Sequence, residues 1–126
     1  MRTTAALLAC LALAACGSDD EQPAAPASHA DVVVTVDPDG EGGRAAKEAR
    51  LRCETPDASA ACRAIADGAL EPTPRGTACT QQFGGPHTAT VTGTVEGRRV
   101  DAEFSRANGC EIARWQDAAP VLDLAR

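Results

Sequence analysis

Six cysteines in a chain with almost no aromatic residues constrain the fold more than any other feature of this sequence. Phe83, Phe104 and Trp115 are its only large rings and tyrosine is absent, so a core must be assembled from Val, Leu, Ile and Ala. A small domain with so thin a core is marginal on burial alone, and exported domains of this kind commonly add disulfides. The cysteines fall into two groups. Cys10 lies in an apolar amino-terminal run and Cys16 directly behind it, which leaves Cys53, Cys62, Cys79 and Cys110 for the folded part. An even number in an exported chain predicts two bridges, and the count alone leaves three connectivities open. The gaps between these cysteines lack the close C-x2-C pairs of a zinc site, so neither a metal centre nor a cofactor is expected.

Residues 1–15, MRTTAALLACLALAA, have a basic start at Arg2 and then a run of Ala and Leu, the pattern of a secretory signal. The run is too short to span a bilayer. It ends in Leu13-Ala14-Ala15-Cys16-Gly17, which resembles the bacterial lipobox, where small residues precede a cysteine that is acylated and becomes the new amino terminus. Cys16 is therefore expected to carry lipid and Cys10 to leave with the signal; the other reading is an ordinary A-x-A cleavage beside an incidental Cys16. Residues 16–30 are polar, acidic and rich in Pro and Ala, which predicts a disordered tether with His29 solvated on it. The expected product is an exported protein held at the outer face of the cell membrane by its lipid, with one domain at 31–126.

The formal charge of -6, or -7 once Arg2 is removed (11 basic against 18 acidic residues), argues against nucleic-acid binding, which wants a basic face. Residues 31–36, DVVVTV, read as a strand, DPDGEGG as a long turn, and residues 49–53 as a second strand that closes a hairpin. Asp37, Asp39, Glu41, Gly42 and Glu48 fall at the spacing of a calcium loop. A strand precedes them where that motif has a helix, however, and Pro38 stiffens the second position, so an acidic solvated turn is expected. Residues 58–69 carry Ala, Cys and Ile at helical spacing, with Asp57 or Ser59 available as the cap and Gly68 as the stop. Residues 87–95 alternate strictly, Ala89, Val91, Gly93 and Val95 on one face and four threonines on the other. Glu96-Gly97 fits a two-residue turn into RRVDAEF, where Val100, Ala102 and Phe104 share a face. Beyond Asn108-Gly109, CEIARW predicts one helical turn, and Val121, Leu122 and Leu124 a closing strand. Val91, Val95, Val100, Phe104 and Trp115 are expected in the core, and Arg98 and Arg99 on a solvated hairpin face.

The stretch CTQQFGGPHTATVTGTVEGRRVDAEFSRANGCEIARW, residues 79–115, resembles the subtilisin inhibitor-like family of secreted protease inhibitors. The Cys, the GGP, the T-x-T-V-x-G run and N-G-C-E occur together there, and a weaker likeness extends back through DVVVTV and EARLRC. The resemblance implies an α+β fold, a five-stranded antiparallel sheet with two short helices packed on it, usually dimeric, with Cys53 joined to Cys62 and Cys79 to Cys110. It also implies an inhibitory loop beginning at Cys79, with the scissile bond between Gln81 and Gln82, Thr80 before it and Phe83 after it. Gln81 would then enter the primary pocket of a subtilisin-like or trypsin-like serine protease.

Two other readings compete. An enzyme needs a nucleophile with a base in reach, and in 31–126 only His87 could serve Ser59 or Ser105, so catalysis is not expected. A non-inhibitory envelope lipoprotein could use the same scaffold for another partner, because fold does not fix function. The loop discriminates: an inhibitor depends on Gln81 and Phe83, and such a lipoprotein does not.

Overall fold

The computed structural model describes residues 28–126. The signal, Cys16 and most of the tether lie outside the described residues. Four strands form one antiparallel sheet: β1 (Ala30–Asp37), β2 (Lys47–Cys53), β3 (Thr88–Val95) and β4 (Arg98–Phe104), in the spatial order β2-β1-β3-β4. β1 runs through its middle, Val34 opposite Ala49 on one side and Val91 on the other. Period-2 alternation decides which face is covered. Ala30, Val32, Val34 and Val36 of β1 are buried with Ala89 and Val91 of β3 and Ala102 and Phe104 of β4, while Thr90, Thr92, Thr94, Arg50 and Asp101 face outward. Val95 and Val100 are only half-buried, because they lie near the hairpin turn at the sheet's end. That turn is the expected one: Glu96 and Gly97 both sit at positive φ (49° and 76°), the geometry whose twist matches paired strands.

Three short helices cover the buried face: α1 (Ala60–Ala66), α2 (Gly109–Asp117) and α3 (Ala119–Leu122), the last followed by a 3-10 turn at Asp123–Ala125. Of the two candidate caps for α1, Ser59 is the one used; its hydroxyl accepts from the Cys62 amide at 3.1 Å. Asn108 caps α2 in the same way from the Glu111 amide, at 3.0 Å. Both bridges follow the pairing that the resemblance implies, Cys53–Cys62 joining β2 to α1 and Cys79–Cys110 reaching α2, with Cα separations of 5.8 and 5.3 Å.

Several expectations are corrected. Among the described residues the sheet has four strands, not five, and it carries three short helices, not two. The segment expected to close the sheet is α3 and its 3-10 extension. Val121 and Leu122 are adjacent and both fully buried, which a half-covered strand cannot achieve, and Ala118, Val121, Leu122 and Ala125 together form a helical stripe. Pro120 sits in the first turn of α3, where its missing N–H has no helical partner to lose. Likewise CEIARW is not one isolated turn but the body of the nine-residue α2. His29 is not solvated either: its side chain is only 8% exposed, with Nδ1 3.7 Å from Glu96 Oε1, and its carbonyl accepts the Glu96 amide at 2.8 Å. The described chain thus begins by packing on the β3–β4 turn.

Since the core is thin, single deletions in it should be felt. Leu122→Ala, at a fully buried position, is expected to lower the free energy of unfolding by about 2–5 kcal/mol, as measured by guanidinium titration.

Candidate functional site

Residues 77–87 contain no helix or strand apart from a bend at Pro86, and most of their side chains face solvent. They are nonetheless held at defined points. Cys79 is bonded to Cys110 at the start of α2, and the next residue, Thr80, accepts the Gly109 amide on its carbonyl at 3.0 Å. The approach is so close that a Cβ on Gly109 would collide with the Thr80 hydroxyl, so a larger residue there would force the Thr80 side chain to turn away. Four residues on, the Gly84 amide donates to the Arg106 carbonyl at 2.7 Å, and the chain enters β3 at Thr88.

Gln81, Gln82 and Phe83 lie between these anchors, all three exposed, and their backbone groups make no backbone hydrogen bond within the described residues. The four loop residues implied by the resemblance, Thr80, Gln81, Gln82 and Phe83, are therefore contiguous on the surface, pinned on both sides and unpaired in the middle. A segment of this kind offers free N–H and C=O groups for pairing by an incoming strand.

The turn between β1 and β2 supports the far side of this loop. Asp37 is 5% exposed and the only buried acidic or basic residue among those described. Its carboxylate accepts the Asp39 amide at 3.0 Å and the Gly42 amide. Hydrogen bonds from the backbone of Gly42, above all, and of Asp39, Gly40 and Gly43 hold its carboxyl below the ordinary value of 3.8 against the opposing effect of burial. The DPDGEGG turn thus wraps round its own first carboxylate. This curl places Gly40, at φ 69°, so close to the Pro86 carbonyl that a Cβ there would collide with it.

Sequence reasoning missed Arg114. Its Nε donates to the Glu71 carbonyl at 2.9 Å, its Nη1 to the Glu103 carbonyl at 3.1 Å and to Glu111 Oε2 at 2.9 Å, and its guanidinium lies 4.6 Å from the centre of the Phe104 ring. One side chain therefore ties α2, β4 and the segment leading to Cys79 together. The legible signal was the Glu111/Arg114 pair at i,i+3; the two carbonyls belong to distant segments.

The groups considered for catalysis each have another partner in the fold. Ser59 caps α1 and donates to Cys62 Sγ at 3.1 Å, Ser105 accepts the Ala107 amide at 3.4 Å, and His87 sets its ring against the edge of Trp115 with centroids 6.2 Å apart. The loop and the point where the chain enters β1 also lie at opposite ends of the sheet. Ala30 pairs with Val95 and Asp37 with Thr88, so the eight-residue length of β1, about 25 Å, separates the point where the tether enters from the point where the loop leaves. Comparison of the chain with family models, with curated proteins and with solved structures finds no match.

Protonation of Asp37 is disfavoured in the fold relative to the unfolded chain, so its contribution to stability is complete above the ordinary aspartate range and is lost as pH falls through the lowered folded value. Asp31, whose carboxylate accepts from Arg50, and Asp57, which accepts from the Thr55 hydroxyl, shift in the same direction. The thermal midpoint should stay level down to about pH 4 and fall below it, with Asp37→Asn lowering the plateau and flattening the acid limb. Gly40→Ala should cost roughly 1–3 kcal/mol in a denaturant titration and speed hydrogen exchange at the His87 and Thr88 amides.

Proposed function

We propose that this protein is a serine protease inhibitor that presents residues 79–87 as a substrate-like loop, with the reactive bond between Gln81 and Gln82. One observation carries this reading: Gln81, Gln82 and Phe83 stand exposed and unpaired between the Cys79–Cys110 and Thr80–Gly109 anchors on one side and the Gly84–Arg106 anchor on the other.

A protease binds its substrate by pairing backbone with an extended segment, and ordering a flexible peptide for this costs affinity. A loop fixed beforehand avoids most of that cost. The long-loop bridge is worth roughly 3–4 kcal/mol and the short one about 2–3 on the chain-entropy model, so the clamp outlasts binding. The same clamp explains inhibition in place of digestion. When the protease serine attacks the Gln81 carbonyl, the Gln81–Gln82 bond breaks and the Gln82 amine is released. That amine remains held within the fold by the anchor at Gly84, where it can displace the serine and remake the peptide bond before water enters.

The subtilisin inhibitor-like scaffold is part of the proposal, as is a subtilisin-like or trypsin-like target. So are export and a lipid at Cys16; attached through the tether, it would hold the end of the sheet at Ala30 toward the membrane and leave the loop facing outward. Pairing of two copies, as in that family, belongs to the same reading.

The purified, disulfide-bonded chain titrated against subtilisin, trypsin and chymotrypsin should give stoichiometric loss of activity toward at least one of them, with slow cleavage confined to Gln81–Gln82 by mass spectrometry. Rapid degradation, or no effect on any of the three by a chain with both bridges intact, would defeat the inhibitor reading and favour an envelope lipoprotein that uses the scaffold for another partner.

A further inference from the structure

We infer that Phe83 is the principal anchor of the loop, and that the target is a serine protease with an apolar subsite on the leaving-group side of the scissile bond; this rests on the inhibitor reading above. The chain has three large rings, and the other two, Phe104 and Trp115, are almost completely buried in the core. Phe83 is 68% exposed, the most exposed large hydrophobic among the described residues. In a protein so short of apolar bulk, a ring left in water is unspent hydrophobic surface, and its position decides what it can meet.

That position is fixed by its neighbour. Gly84 is the residue whose amide is held by Arg106, so Phe83 stands directly against an anchor, as Gln81 does against Thr80 on the other side, and only Gln82 lies between them. A side chain next to a fixed backbone point loses less freedom on binding than one in the middle of a span. Side chains in a segment read as an added strand alternate, so Gln81 and Phe83 turn to the same side, toward the protease, and Gln82 turns away. Of the two that face the partner, Gln81 is neutral and polar. It offers a primary pocket neither the charge that a basic side chain would bring nor large apolar area. Aromatic rings seated in desolvated pockets dominate interface energetics, which assigns the larger share to Phe83.

The same inhibition titration tests this with Phe83→Ala, Phe83→Leu and Gln81→Ala, each checked for two intact bridges and an unchanged thermal midpoint. Against the protease that the parent inhibits most tightly, Phe83→Ala should raise the inhibition constant about 30-fold, or about 2 kcal/mol at 1.4 kcal/mol per tenfold. Phe83→Leu should restore the constant to within roughly threefold of the parent, and Gln81→Ala should weaken it less than about tenfold. If Phe83→Ala stays within threefold of the parent while Gln81→Ala abolishes inhibition, the anchor is Gln81; this inference is then wrong and the inhibitor reading stands. If the parent inhibits none of the three proteases, both are overturned together.

Discussion

The Cys79–Cys110 bridge is the constraint on which the order of segment 77–87 depends. The segment 77–87 has no secondary structure of its own, and without a crosslink its order would rest on a few hydrogen bonds exposed to water. The bridge fixes it to the start of α2, a helix whose own beginning is set by the Asn108 cap. Once Cys79 is held there, the Thr80 carbonyl meets the Gly109 amide, and the chain reaches β3 after a short span with its middle exposed. Rigidity at Gln81 and Gln82 is thus borrowed from a helix cap and a covalent bond.

The rest of the fold makes that loan possible with little material. Most of one sheet face is valine and alanine, and three short helices close over it with Ile65, Trp115, Val121 and Leu122. Each helix is too short to be stable in water by itself, so each depends on tertiary contact. The Cys53–Cys62 bridge secures α1 to the sheet, and Arg114 secures α2 to β4 and to the strand-free segment before Cys79. The acidic β1–β2 turn contributes in a different way: it satisfies a buried carboxylate with its own amides, and the resulting shape carries Gly40 against Pro86. A motif with the spacing of a calcium loop is used here as a buttress.

Strands with period-2 alternation were legible from residues alone. HTATVTGTV and RRVDAEF give β3 and β4 almost to the residue, with the Glu96-Gly97 turn between them, because each has one buried face and a turn of fixed chemistry. The carboxy-terminal segment was not legible. Val121, Leu122 and Leu124 are too few to separate periods of 2 and 3.6, and only the packing of α3 against α1 and β1 decides it, by burying Val121 and Leu122 side by side. His29 was misread for a related reason: its sequence neighbours are tether-like, while the Glu96 backbone that holds it lies far along the chain.

The sequence by itself determined the hairpin pair at the centre of the chain with its turn, a cap for α1 at Asp57 or Ser59 and the composition of the loop, since each of these is encoded within a few residues; the cysteine count gave two bridges and left their pairing open. Tertiary structure alone decided the number of strands, the burial of His29, the role of Arg114 and the anchoring of the loop at Gly84. These depend on hydrogen bonds and packing between segments tens of residues apart, and no local pattern of side chains records which backbone carbonyl a distant donor will find.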